Sequence, residues 1–267
     1  MANILADLMI TSLDDIQAYD LLTGAFMWMA DELQNASIEN SEEKTDITGK
    51  KGRKLTSLKQ NKAATISGAS GTIIGGLLEV QTGGDYETAN ATVQWTDFIS
   101  IASDEAVTTW KAVGTAGAEI GDLYIKNADG TLGAKLEQAA SADTGKFAYD
   151  PATKKLTFKA SAYADGTEIM VVYQRKVSAG VLENNTENYS KKCRLYINAT
   201  AEDLCGNQYH VQFYFPKADF DGNFTVEMGD NQTVHNFNAE ALTGGCGLAA
   251  GKLWTYTVFG VTAEDVA

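Results

Sequence analysis

The sequence predicts a mainly β protein, a sandwich or barrel of many short strands. Three observations predict it. First, apolar and polar residues alternate over short stretches, as in 193–199 (CRLYINA) and 210–215 (HVQFYF); this two-residue period marks a strand with one buried face. Second, 25 glycines stand against two prolines, Pro151 and Pro216, so tight turns must rely on Gly, Asn and Asp. Third, 267 residues with 44% hydrophobic content can supply the core of one large all-β domain or two smaller ones. No repeat of fixed period and no linker divides the chain. We therefore read 1–267 as a single domain, with 92–177 a candidate β elaboration of it.

Each element follows in order. Near the start, Ser12 reads as an N-cap and Asp14 and Asp15 suit a first helical turn. Leu13, Ile16 and Tyr19 recur at helical spacing, so a helix ending at Gly24 is expected. Residues 25–40 fit a helix or a strand, the later part favouring strand. Residues 63–68 read as a strand, and 72–80 as a short helix or a glycine-bulged strand, closed by Gly83, Gly84 and Asp85. From 92 to 177 the pattern is β throughout. It includes strands from Val93 and at 122–126 and 168–175, a turn at 128–130, and a hairpin pairing 146–149 with 155–159 across 150–153. Further strands are expected at 193–199, 210–215 (ended by Pro216), 224–228, 233–239 and 252–259.

The net charge of −14 opposes nucleic-acid binding by the surface as a whole, because phosphates would be repelled. Three cysteines, Cys193, Cys205 and Cys246, are too few and odd in number for a secreted disulfide scaffold. The first fifteen residues lack a basic segment of signal-peptide type. No apolar run approaches the roughly 20 residues that span a bilayer. Synthesis in a reducing cytoplasm is the expectation.

Chemistry-bearing motifs are sparse. His210 and His235 sit in strands and in no triad motif. Cys205 and His210 have part of a zinc-knuckle spacing, but the close cysteine pair is absent; buried apolar thiols are the plainer reading. Residues 245–252 resemble a phosphate loop whose spacing is off by one, with Leu253 where a magnesium-binding hydroxyl is needed. Residues 219–223 lack the glycine position and bidentate glutamate of a calcium loop, so a tight turn is expected. The expectation is no enzyme, no cofactor and no metal.

One feature stands apart. Residues 44–62 hold Lys44, Lys50, Lys51, Arg53, Lys54, Lys59 and Lys62, a third of the 21 cationic side chains, against one acid, Asp46. Gly49 and Gly52 argue against a helix. The strip fits three roles: a nucleic-acid arm, a solvated face, or an arm that docks on another copy of the acidic body. The first lacks interleaved aromatics and meets the repulsion of the body. The third accounts for both charge and extension.

Residues 19–24 (YDLLTG) through 30–33 (ADEL), then 46–55 (DITGKKGRKL), resemble the N-terminal part of phage major tail, or tail tube, proteins. So do 224–230 (FTVEMGD) leading through 237–242 (FNAEAL) to Leu253 and Trp254. The resemblance implies a two-sheet β-sandwich of tail-tube type with a flanking helix and a long extended loop. It implies hexameric rings stacked into a tube through which DNA is ejected, with a loop of one ring docking on the next. Residues 42–62 are the natural candidate for that loop. Implied partners are further copies of the chain, tape measure and tail completion proteins, and DNA that passes without specific binding; no membrane insertion is implied, and the implied location is the virion tail. Two other classes share the composition: a head-decoration or other capsid-associated protein, and a carbohydrate-binding adhesin module using Tyr and Trp faces.

Overall fold

The computed structural model describes residues 7–229, 234–243 and 251–260. In chain order the elements are β1 (Leu8–Asp20), β2 (Phe26–Ala30), β3 (Leu33–Thr48), β4 (Lys54–Ser70), α1 (Gly75–Thr82) and β5 (Tyr86–Ser100). Then come β6 (Glu105–Val107), β7 (Ile120–Lys126), β8 (Leu132–Gln138), β9 (Lys146–Asp150), β10 (Lys155–Thr157) and β11 (Glu168–Leu182). The last are β12 (Lys192–Asp203), β13 (Gln208–Phe220), β14 (Val226–Glu227), β15 (Val234–Ala241) and β16 (Thr255–Gly260). The expected class, mainly β with two sheets and one helix, is what the structure has.

The helix is not where the N-terminal pattern put it. Residues 12–20 belong to β1, antiparallel to β12. The reason lies in two β-bulges, between Ile10 and Ser12 and between Leu13 and Asp15. Each adds a residue to β1 but none to β12, so Ile10, Leu13 and Ile16 stand opposite Ala201, Ala199 and Ile197. Leu13 and Ile16 of the expected helical pattern thus share one face of a strand although three apart, whereas Tyr19, reached without a further bulge in this ladder, stands opposite Arg194 on the other face. Ser12 caps no helix but stands opposite Thr200 in the ladder, and the Asp20 carboxylate accepts the N–H groups of Leu22 and Thr23, closing the turn before β2. The ambiguous stretch 25–40 holds β2 and the start of β3, joined through Asp31 and Glu32, and no helix.

The helix occupies the second ambiguous stretch, as α1. It buries Leu77 and Val80 and ends at Gly83, whose φ of 73° suits the left-handed cap; the Gly83 N–H donates to the Glu79 carbonyl. Gly76 lets the helix approach β2, since a Cβ there would lie 2.5 Å from that of Trp28. Three hydrogen bonds tie α1 to β15. Gln81 Nε2 donates to the Asn236 carbonyl at 2.9 Å, and the Ile74 N–H donates to His235 Nδ1 at 3.4 Å. His235 Nε2 then carries the proton and donates to Gln81 Oε1 at 2.7 Å. His235 is fully buried, and burial pushes its imidazole below the usual 6.5.

The chain divides into two compact units, one of Met1–Tyr86 with Leu182–Ala267 and one of Glu87–Val181. In the first, the strands run β2-β1-β12-β13-β15-β4-β3, with β14 on β15 and β16 on β13. Strands far apart in that order share one core: Ile16, Trp28 and Ile197 pack in the same cluster as Ile66, Phe237 and Leu77. The sheet must therefore curl until β1 faces β3, and Leu13 and Ile38 line the same opening. The curl is helped where β13 changes partner. Its residues 209–214 pair with β16 and 218–220 with β15, and Pro216 sits between. Opposite it, β12 pairs Cys193 with Ala218 but Leu195 with Phe215, so two residues oppose one. Pro216 does not end the strand, as the sequence suggested; it occupies a bulge, where its missing N–H costs no ladder bond.

In the second unit the order is β5-β11-β7-β8-β9-β10-β6. The expected hairpin is present as β9 and β10, with Lys155 opposite Asp150. The core holds Leu123, Phe147, Leu156, Ile169 and Val171.

Two outcomes are expected. Gly83→Ala places a methyl in a left-handed backbone and against the Tyr189 carbonyl oxygen; a loss of about 1–3 kcal/mol is expected in denaturant unfolding. For His235 the folded pKa lies below the unfolded one, so stability is complete above 6.5 and is lost as pH falls through the folded value. Unfolding midpoints measured at descending pH should fall in that window for the native chain, and the slope there should flatten in His235→Asn.

Candidate functional site

The basic strip is the outer half of an antiparallel hairpin. β3 and β4 pair from Leu33 opposite Ser70 to Thr48 opposite Lys54. Near the sheet the ladder is buried, with Ile66 and Ala64 in the core. Beyond it every residue from 41 to 62 is exposed except Gly49 and Ser57. At the tip Lys50–Gly52 form a single 3-10 turn, with the Gly49 N–H donating to the Arg53 carbonyl at 2.8 Å. Gly52 takes φ 72° and Lys51 φ 65° to reverse the chain. The glycines exclude an α-helix as expected, and the turn they make is helical only for these three residues.

Alternation sorts the arm into two faces. One carries Lys44 opposite Lys59 and Asp46 opposite Ser57. The other carries Thr45 opposite Leu58 and Ile47 opposite Thr56. Ile47, Leu55 and Leu58 are 46%, 59% and 53% exposed, in a segment that otherwise carries charge. Leu55 lies over Gly49, where a Cβ would stand 2.9 Å from its Cδ1. Sequence reading by charge missed these exposed aliphatic side chains; the signal for Ile47 and Leu58 was their place on the Thr45–Ile47 side of the ladder, while Leu55 sits at the register shift near the tip.

Two of the seven cations have acidic partners. Lys54 meets Asp46 at 2.7 Å and Lys59 meets Glu42 at 3.0 Å. Lys54 and then the Ser57 hydroxyl hold the Asp46 carboxyl below its usual range, and Lys59 does the same for Glu42. Lys44, Lys50, Lys51, Arg53 and Lys62 form no ion pair among the described residues. Lys44 stands opposite Lys59 across the ladder, and Glu42, which pairs with Lys59, offsets part of that repulsion. The sequence thus placed the seven cations in one segment, and the structure brings all of them onto one protruding arm.

The unpaired backbone of β3 is a second feature. β2 and β3 end the strand order of this sheet, and among the described residues β3 is paired only along β4. One long row of β3 amides and carbonyls is left for a partner strand.

The remaining candidates scatter. His210 packs against Phe259 at 5.4 Å and His235 is the structural link described above. Cys193 is buried, which pushes its thiol up to about 12, whereas Cys205 is exposed in the turn before β13, against the expectation of buried thiols. Cys246 and most of the phosphate-loop look-alike lie outside the described residues. Asp221 accepts the Asn223 N–H at 2.9 Å in the turn expected there. Among the described residues no three metal-ligating side chains converge.

Compared with known families, residues 8–255 match the model of the YomU/Tube protein family. No curated protein matches the chain.

Proposed function

The chain belongs to the YomU/Tube protein family, a family of phage tail tube proteins, and from that premise we propose that its copies form hexameric rings stacked into the tube through which phage DNA is ejected. The observation that carries this reading is the exposed β3–β4 arm. A two-stranded ribbon with both faces in water is marginal by itself. This one holds five unpaired cations and three exposed aliphatic side chains, on a chain of net charge −14. The partner that suits it is the acidic body of another copy, met first by long-range attraction and then by apolar contact.

The unpaired edge of β3 supports lateral growth. Strand pairing between neighbours satisfies the free backbone groups and closes a ring without exposed edges. Within the tube, an acidic lining would repel phosphate and keep DNA moving. Tape measure and tail completion proteins are the further partners of this reading, and the virion tail is its location.

Negative-stain microscopy of the concentrated protein should show rings or tubes of uniform width. A chain that stays monomeric at high concentration and alongside the other tail components would remove the reading. Replacing Lys50, Lys51, Arg53 and Lys54 by glutamate should abolish tubes while sedimentation and circular dichroism report an intact monomer. Salt should weaken assembly of the native chain, since exposed charges are screened over about 8–10 Å. Leu55→Ser with Leu58→Ser should impair assembly at all salt concentrations.

A further inference from the structure

We propose that the second unit carries a binding site for a carboxylated sugar of an anionic polysaccharide, built on Arg175 clamped between Trp95 and Trp110. The guanidinium carbon of Arg175 lies 4.5 Å from the Trp95 ring centre and 4.3 Å from that of Trp110. A planar cation covered on both faces offers only its edge to a ligand. Its Nε is buried and has no hydrogen-bond partner.

The clamp is fixed from behind. Trp95 Nε1 donates to Asp97 Oδ1 at 2.9 Å. Asp97 Oδ2 accepts the Thr109 N–H at 2.7 Å and the Tyr173 hydroxyl at 2.8 Å. Tyr173 Oη in turn accepts the backbone N–H of Trp110 at 2.9 Å. Both oxygens of the nearest buried carboxylate are therefore committed, one to the Trp95 indole and the other, with Tyr173, to the backbone that carries Trp110. Glu119, packed by Gly114, accepts the Gly117 N–H and Gln138 Nε2 at one oxygen, Oε2.

In front of the clamp is an open pocket of about 660 Å³, lined among others by Trp110, Lys111, Gln174, Arg175 and Lys176, with no acidic side chain in its wall. Lys111 and Lys176 make no ion pair among the described residues. Lys111, Arg175 and Lys176 thus border one pocket of an acidic protein, Arg175 from one face of β11 and Lys176 from its next position. Their chemistry selects an anion, and a guanidinium edge matches a carboxylate. Trp110, 47% exposed, adds a flat apolar face of the kind that stacks on a sugar ring, while Gln174 can bond hydroxyls. An acidic peptide would meet the cations but leave the indole face unused. The site is independent of tube formation.

The test uses the full chain and trigalacturonate as probe. Saturable quenching of tryptophan emission and a calorimetric binding signal are expected, both absent with maltotriose and with triglutamate. Lys111→Glu with Lys176→Glu, at exposed positions, should weaken binding by about tenfold or more, and Trp110→Ala should do the same, with near-ultraviolet dichroism confirming that each variant is folded. No saturable response to trigalacturonate would overturn the proposal. Equal binding of triglutamate would overturn it in favour of an acidic peptide, and equal binding of maltotriose would remove the carboxylate from recognition. Unchanged affinity in folded variants would leave the stack with a structural role alone.

Discussion

Everything in the first unit depends on where backbone hydrogen bonds are satisfied. Its nine strands curl until the ends of the sheet meet over one apolar cluster, so Ile16 and Trp28 bury the same core as Ile66 and Phe237. Curling needs bulges, and the chain supplies them at Ile10/Ser12, Leu13/Asp15 and around Pro216. α1 then closes the core through Leu77 and Val80, held to β15 by a buried histidine and glutamine. One ladder, β3 with β4, does not stop at the core edge. It continues outward until both its faces are in water.

That continuation links fold to function. A strand pair rooted in a packed sheet positions its tip far better than a loop could, because each rung is fixed by the one below it. The tip carries charge opposite in sign to the body, and its apolar face is suited to burial. Attraction and burial act at different ranges: charges guide approach and are screened by salt, whereas Ile47, Leu55 and Leu58 contribute only on contact. The same sheet leaves β3 with an unpaired row of backbone groups. Arm and edge share strand β3, so a contact made at one bears directly on the other.

The second unit follows another logic. Its sheet has its own core around Leu123, Phe147 and Val171. Its aromatic side chains are not all spent there: Trp95 and Trp110 remain at the surface, braced by Asp97 and Tyr173. Burial and hydrogen bonding to Asp97 push the Tyr173 phenol up to about 12, so the hydroxyl stays protonated and the brace holds at any ordinary pH.

By itself the sequence determined the β class, most strands, the hairpin of β9 and β10, and the grouping of seven cations in one segment. These are local properties: alternation, turn residues and charge are written in consecutive positions. Only the tertiary structure decided the rest. The spacing of Leu13, Ile16 and Tyr19 reads as a helix until β12 shows that bulges produce part of it. Pro216 reads as a strand end until β15 and β16 show a change of partner. Ile47 and Leu58 read as ordinary strand residues until nothing in the sheet covers them. Arg175, Trp95 and Trp110 lie on segments up to 80 residues apart in the chain, and no local pattern announces their stack. Each of these depends on which strand lies opposite, and pairing between distant segments is settled by the packing of the whole core.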